Sequence, residues 1–146
     1  MKYNLAFKYR IYSNKEQELL INKTFGCVRF VYNTILYIAN KIYEETGKNK
    51  IVTPASLKSE NQFLKEVDSL ALANAQLNVK RSFTNFFQKR AKFPKFKSKK
   101  NSVKSYTTNC VNNSIRIEEN KYWRKNLKNY RNHYKKKGNK KNDFFR

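Results

Sequence analysis

Cysteine, glycine and histidine are scarce in this sequence, and each scarcity excludes a class of site. The two cysteines, Cys27 and Cys110, are far apart and form no Cys-x-x-Cys pair, so neither a zinc site nor a disulfide framework is indicated. The three glycines form no Gly-rich phosphate loop, and the single histidine, His133, belongs to no Ser/His/Asp set. This cysteine usage favours a reducing cytoplasm.

Acidic residues are also few, which bears on metal-dependent chemistry. Cleavage of phosphodiesters by paired metal ions needs several clustered carboxylates, and the chain has only 10 Asp and Glu. Glu16 and Asp68 are predicted helix caps, 44–45 lies near a helix end, and 118–119 lies beside a turn. We therefore expect no active site, no metal site and no cofactor in this chain.

Long apolar runs are missing as well. Residues 1–12 alternate instead of forming a signal-peptide core, and no stretch approaches the ~18 apolar residues of a membrane span. The sequence predicts a soluble, unexported, cytoplasmic protein without a membrane partner.

Positive charge is abundant instead. The chain of 146 residues has 33 Lys and Arg, which gives a formal net charge of +23. Such a charge attracts nucleic acids or anionic membrane surfaces and says little about the fold. Lys far outnumbers Arg and Asn is common, a bias that an AT-rich genome also produces. The 39% hydrophobic residues suffice for one domain with a modest core.

The first half of the chain predicts a strand followed by helices. Apolar residues alternate with polar ones over 3–11, which is typical of a half-buried strand. Ser13 and Glu16 have the spacing of a capping box, so a helix should follow and end at Gly47. Gly26 is interpreted as a kink or as the turn between two shorter helices.

Two further helices are predicted before residue 91. Thr53 and Pro54 have the residue types of an N-cap and a first-turn position, and they open a short helix through Leu57 and Leu64. Asp68 caps another helix that runs to about residue 90, so the helical part extends over about 14–91.

The last of these helices has two contrasting faces when its residues are placed at 100° intervals. One face is apolar and predicted to be core: Leu72, Ala75, Val79, Phe83 and Phe86. The opposite face is a polar stripe formed by Asn74, Asn78, Arg81 and Asn85. Because Asn is a mediocre helix former, the polar stripe is a candidate binding surface, the alternative being an ordinary solvent face.

A segment rich in Lys follows this helix and interleaves cations with rings and hydroxyls. The basic segment 92–100 contains Lys92, Lys95, Lys97, Lys99 and Lys100, and the candidate contacts continue with Tyr106, Thr107 and Thr108. Cations neutralise phosphates, rings stack on bases, and hydroxyls reach phosphate oxygens or base edges. We interpret the segment as part of a nucleic-acid interface, and a solvated basic linker is the alternative.

The remainder predicts two short strands and a tail. Residues 103–108 and 114–118 have the β-branched and aromatic content of strands, with a turn at Asn112 and Asn113. Residues 121–146 show no apolar periodicity, so we expect a disordered, basic tail.

Four separated motifs resemble the N-terminal region of TnpB (OrfB) proteins, in the same order and with approximately the same spacing. They are FKYRIYSNKEQ at 7–17, GCVRFVYN at 26–33, FF at 86–87 and KFPKFKSKK at 92–100. TnpB proteins are insertion-sequence proteins that were classed as transposases with an N-terminal helix-turn-helix and are understood as RNA-guided DNA nucleases. The resemblance extends over about residues 2–120.

The resemblance implies an α+β, mainly helical fold. A helical recognition lobe, or helix-turn-helix, would be inserted between the strands of a small wedge-type β-barrel, which need not be complete. It implies that region 1–120 binds a guide RNA and reads a short transposon-adjacent DNA motif, since base pairing reads the remaining sequence. Contacts to the motif would come from Asn74, Asn78, Arg81, Tyr106, Thr107 and Thr108.

The chain also departs from the family's pattern. It stops before the RuvC-like nuclease domain, and residues 122–128 resemble out-of-frame translation more than the family's next strand. We therefore expect a truncated TnpB protein, a non-catalytic fragment that binds DNA and RNA. The alternatives are a degenerate insertion-sequence remnant with only nonspecific binding, and one part of a split nuclease.

Overall fold

A computed structural model describes residue 6 and residues 12–100, 103–118, 121–124 and 132–133. These residues belong to two compact units, which are treated separately below. One unit comprises 19–109, and the other combines 1–18 with 110–146.

Helix α1 (Lys15–Thr46) begins with a reciprocal cap, one residue later than predicted. The Asn14 amide N–H donates to Gln17 Oε1 at 3.0 Å, and the Gln17 N–H donates to Asn14 Oδ1 at 2.8 Å. The pair therefore satisfies two backbone donors, as a Ser–Glu capping box would. The prediction of a helix start here is confirmed, and the assignment of the cap to Ser13 and Glu16 is wrong.

Helix α1 passes through Gly26 without interruption, so the predicted turn between two shorter helices is wrong. The neighbouring Cys27 and Val28 are buried, and their burial holds the helix together where the glycine weakens it. The helix ends as predicted at Gly47, which has a φ of +66° and donates its N–H to the Tyr43 carbonyl at 2.8 Å.

Substitution of these two glycines by alanine should have opposite effects on stability. A Cβ at residue 26 would meet nothing within 4 Å, so Gly26→Ala should raise the free energy of unfolding by about 0.5–1 kcal/mol. Gly47→Ala should lower it by about 1–2 kcal/mol, because an L-residue is strained at positive φ. Urea unfolding measures both changes, and two changes of the same sign would contradict this account of α1.

The predicted short helix is divided into two elements. Helix α2 (Pro54–Glu60) has Thr53 as its N-cap and is followed by a 3-10 helix (Gln62–Glu66) that contributes the buried Leu64. Helix α3 (Ser69–Phe87) begins as predicted, because the Asp68 side chain accepts a hydrogen bond from the Leu70 N–H at 3.1 Å.

The core of unit 19–109 is formed by apolar faces of α1 and α3 with contributions from the elements between them. Its buried residues are Cys27, Val28, Val31, Tyr32, Ile35, Leu36, Ala39, Leu57, Leu64, Val67, Ala71, Leu72, Ala75, Val79 and Phe83. The apolar face predicted for α3 is confirmed at all positions except Phe86, which is half-buried. In the described part of the chain, no helix is long and apolar enough to cross a membrane.

A small antiparallel sheet lies in the other unit. Its strands are β1 (Ile115–Glu118), β2 (Lys121–Arg124) and β3 (Asn132–His133), in the order β1-β2-β3. Strand β1 falls within the segment predicted at 114–118, and it is preceded by a turn at Asn112 and Asn113, which both have positive φ. Strand β2 pairs with β1 over its four residues, and β3 pairs with Lys121 and Tyr122. The disordered tail predicted for 121–146 lies mostly outside the described residues and stays a prediction.

The predicted α+β class built around a wedge-type barrel is wrong for the residues that the structure describes. Three α-helices dominate, the sheet is a short meander, and no barrel is formed within the described ranges. Residues 103–108 are not a strand; the Tyr106 ring contacts Phe25 of α1, and the Thr108 hydroxyl contacts Asp68 at the start of α3. The strand predicted at 3–11 lies outside the described residues.

Candidate nucleic-acid interface

The polar stripe of α3 lies at the protein surface, as the helical spacing predicts. Arg81 is exposed, and Asn74, Asn78 and Asn85 are half-buried. The Asn74 amide donates to the Leu70 carbonyl at 2.9 Å and to Asn109 Oδ1 at 3.3 Å, so this side chain is engaged in the fold. Within the described residues, the structure shows no side-chain hydrogen bond from Asn78, Arg81 or Asn85.

The basic segment 92–100 is docked on α1 by one asparagine. Asn33 Nδ2 donates to the Lys97 carbonyl at 3.0 Å, and the Lys97 N–H donates to Asn33 Oδ1 at 2.8 Å. A pair of hydrogen bonds to one backbone residue fixes both the position and the orientation of the chain. The segment is therefore held against the helix, which a solvated linker would not be.

Aromatic contacts hold the start of the same segment. Phe93 packs edge-on against Phe83 and Phe86, with ring centroids 5.9 and 5.2 Å apart, and Pro94 is buried. Phe83 belongs to the core, so the segment begins on the core and then reaches α1.

The lysines of the segment divide into two groups. Lys97 Nζ lies 4.4 Å from the centroid of the Tyr32 ring, a cation–π contact, and burial of this side chain lowers the pKa of Lys97 although the residue as a whole stays exposed. The others are exposed and available to phosphates: Lys92, Lys95, Lys99 and Lys100. Lys97 thus has a structural role that its sequence position did not reveal.

Two of the three candidate residues after the basic segment also have structural roles. The Thr108 hydroxyl donates to Asp68 Oδ2, the carboxylate that caps α3. The Tyr106 ring packs edge-on against Phe25 at 5.5 Å. Thr107 is exposed between them. These contacts, with the Asn74–Asn109 hydrogen bond, bring Thr107 beside the first half of α3.

Sequence reasoning missed the importance of Asn33. A polar residue on the border of an apolar helix face has no distinctive periodicity, and its partner is a backbone group 64 residues away. The only available signal was its place at the end of the motif 26–33.

Removal of the Asn33 side chain should release the basic segment while the core stays folded. We expect Asn33→Ala to speed exchange of the Lys97 amide hydrogen about tenfold, since each lost hydrogen bond contributes roughly 0.5–1.5 kcal/mol. Asn22→Ala, at an exposed position of the same helix, is the matched control. Hydrogen-exchange measurements in which both variants match the wild type would contradict the docking role.

The part of the chain that contains α3 and the basic segment has basic residues and no acidic ones. The sequence has no Asp or Glu between Asp68 and Glu118, a range that contains all of α3 and the basic segment. The ion pair that the structure shows among the described residues, Lys23 with Glu66, lies outside this range. The polar stripe and the basic segment therefore contribute positive charge and no negative charge of their own.

The described residues include no group of three or more His, Cys, Asp or Glu that could hold a metal ion. Cys27 is buried, and burial raises the pKa of its thiol, so it is a neutral core residue. Cys110 is exposed.

Comparison with known proteins places these features in a family. The helix-turn-helix domain of OrfB proteins of the IS605 type matches residues 1–48. The described part of that match is the cap and the single continuous helix α1.

Two relatives are much longer than the region they share with this chain. A predicted RNA-guided DNA endonuclease of Streptomyces pristinaespiralis is 39% identical over 104 residues, which are 66% of this chain and 26% of the relative. The predicted RNA-guided DNA endonuclease InsQ of Escherichia coli K12 is 32% identical over 108 residues, 68% of this chain and 26% of InsQ. The chain therefore spans about a quarter of the length of these relatives.

A third relative matches over nearly its whole length. The virulence protein VsdF of Salmonella dublin is 37% identical over 110 residues, which are 64% of this chain and 92% of VsdF. Together with the domain match and the four motifs, these similarities show that the chain belongs to the TnpB (OrfB) family of insertion-sequence proteins and corresponds to the N-terminal region of that family.

Proposed function

We propose that this chain is a non-catalytic nucleic-acid-binding region of a TnpB-type protein, which recognises a transposon-adjacent DNA motif and a guide RNA. The observation that carries the proposal is a polar stripe at the protein surface together with a basic segment that Asn33 docks on α1, both in a range without acidic residues. The names of the Streptomyces and Escherichia coli relatives, which include RNA-guided DNA endonuclease, support the choice of both nucleic acids.

The two parts of the interface have different chemistry. An Asn amide can pair with both N6 and N7 of adenine, and an Arg guanidinium with O6 and N7 of guanine, so Asn78, Arg81 and Asn85 suit base recognition. The exposed lysines of the basic segment suit phosphates, which position a protein without reading sequence. Thr107 adds a hydroxyl near the first half of α3, where Asn74 and Tyr106 support the surface.

Nucleic acid recovered with the purified protein tests this proposal directly. Bound RNA and DNA would be sequenced and compared with those bound by a variant in which Asn78 and Arg81 are both alanine. Enrichment of insertion-sequence ends by the wild type alone would support recognition. Equal recovery of unrelated sequences by both proteins would instead indicate the alternative, a remnant with charge-driven binding.

The chain should not cleave DNA in the presence of Mg²⁺ and any guide RNA. Paired-metal cleavage needs clustered carboxylates, and the acidic residues of this sequence are scattered. A plasmid nicking assay with nuclease-free protein measures this. Metal-dependent cutting that disappears in the Glu118→Gln or Glu119→Gln variant would contradict the non-catalytic assignment.

A further inference from the structure

A second surface lies on the side of α3 opposite the polar stripe. An open groove separates this side from residues 49–51, and its walls include Asn49, Ile51, Leu77, Lys80, Phe83 and Phe87. Phe87 follows Asn78 by nine residues, which is about half a turn around a helix with 100° per residue. The groove and the polar stripe can therefore be tested separately.

The Phe87 ring combines exposure with a rigid mounting. It stays 60% exposed, although it stacks on the buried Phe83 at 6.3 Å with an interplanar angle of 21° and contacts Phe86 at 5.4 Å. Leu77, on the same side of the helix, is 51% exposed. A ring that neighbouring rings already hold can stack on a planar ligand with little further loss of side-chain entropy.

The polar residues of the groove point to an anionic ligand with a planar, hydrogen-bonding part. Lys80 lines the groove, and Lys48 and Lys50 flank Asn49 in the sequence; all four residues are exposed. Two other lining side chains serve the fold: Gln76 Nε2 donates to the Val52 carbonyl at 3.1 Å, and the Thr84 hydroxyl donates to the Lys80 carbonyl at 3.0 Å. Because the amide of Gln76 is engaged, Asn49 is the lining residue whose side-chain amide can hydrogen-bond to the edge of a base.

We propose that this groove binds an unpaired nucleotide of a single-stranded nucleic acid, with the base stacked on Phe87 and the phosphate held by Lys80. The inference rests on the proposed function only in that the protein binds nucleic acid. A second copy of this chain is a poorer occupant, because two chains of net charge +23 repel each other and Lys80 would be buried without an anion. A base with its phosphate complements both the ring and the cation.

A stacking-sensitive fluorophore tests the proposal in the 146-residue chain. The Phe87→Trp substitution is made together with Trp123→Phe, because the natural chain has a single Trp. Probes are single strands of about 12 nucleotides, oligo(dU), oligo(rU) and an abasic strand of equal charge, and a duplex. Quenching of the indole by the base-bearing strands but not by the abasic strand is the expected result, and the stronger of oligo(dU) and oligo(rU) identifies the sugar.

Affinity measurements give an independent readout. Phe87→Ala should weaken binding of base-bearing single strands about 5- to 100-fold and leave duplex binding within about twofold. Asn78→Ala should weaken binding of a duplex that carries the preferred motif and leave single-strand binding within about twofold, so failure of the groove and failure of the proposed motif recognition are distinguishable. The proposal would be overturned if the abasic strand quenched the indole as strongly as the base-bearing strands. It would also be overturned if Phe87→Ala weakened duplex and single-strand binding equally, or if the protein formed a dimer that Phe87→Ala abolishes. If Phe87→Ala does not fold, the quenching comparison still decides.

Discussion

Affinity for duplex DNA should fall about a thousandfold when NaCl is raised from about 50 to about 200 mM, with a log–log slope of roughly −5. This size of effect follows if about six phosphates are neutralised, since each contributes about −0.9 to the slope. Exposed cations on and beside the basic segment provide that number: Arg81, Lys89, Arg90, Lys92, Lys95, Lys99 and Lys100. Titrations monitored by fluorescence anisotropy at several salt concentrations measure the slope.

Lys97 provides a control, because it belongs to the same basic segment as the exposed lysines but its ammonium group is engaged within the fold. Lys95→Gln combined with Lys99→Gln should make the slope shallower by about two, because both ammonium groups are available to phosphates. Lys97→Gln should leave the slope nearly unchanged, because the Lys97 ammonium lies on the Tyr32 ring. A slope near zero in the wild type would contradict binding through phosphates. If Lys97→Gln made the slope shallower by as much per lysine as the double variant does, the structural role of Lys97 would be wrong.

Truncation of the α3 core should reduce stability far more than truncation of its polar stripe. Val79 is fully buried and Phe83 is 7% exposed. Val79→Ala and Phe83→Ala should therefore lower the free energy of unfolding by about 1–5 kcal/mol, by loss of apolar burial and formation of a cavity. Asn78→Ala and Arg81→Ala should retain the stability of the wild type within about 0.5 kcal/mol.

The same polar variants should weaken binding to a preferred DNA motif. A base contact made by either side chain contributes about 1–3 kcal/mol of discrimination, which should be lost with the preferred motif and not with scrambled DNA. Chemical unfolding and competition binding measure the two effects, with Asn22→Ala as a control on the surface of α1. If both variants still discriminate between the preferred motif and scrambled DNA, the polar stripe is only a solvent face. If they are destabilised as much as Val79→Ala, these side chains do not lie at the protein surface.

Much of the helical framework could be predicted because helix signals are local. The cap at Asp68, the Pro54 start, the Gly47 end and the apolar face of α3 each depend on residues within a few positions of one another. Gly26 was misinterpreted because a glycine signals only that a turn is permitted. The burial of Cys27 and Val28 decides that the helix continues.

Strand predictions were less accurate because pairing partners are distant or ambiguous. Residues 103–108 have strand-like composition but form no strand, and Tyr106 and Thr108 contact Phe25 and Asp68 of the helical unit. Residues 121–124 show no apolar periodicity, yet they pair with β1. A β-strand depends on the strand that pairs with it, and the composition of a segment does not identify that partner.

By itself, the amino-acid sequence determined the family, the charge and the two faces of α3, because these follow from motifs, residue counts and helical period. Only the tertiary structure decided which candidate residues are available to a ligand. Asn33 and Lys97 are 64 residues apart, yet their hydrogen bonds convert a basic run into a docked surface. Lys97, Thr108 and Asn74 are engaged in the fold, and Phe87 is exposed beside a groove, because side-chain contacts between distant segments set the exposure of each group.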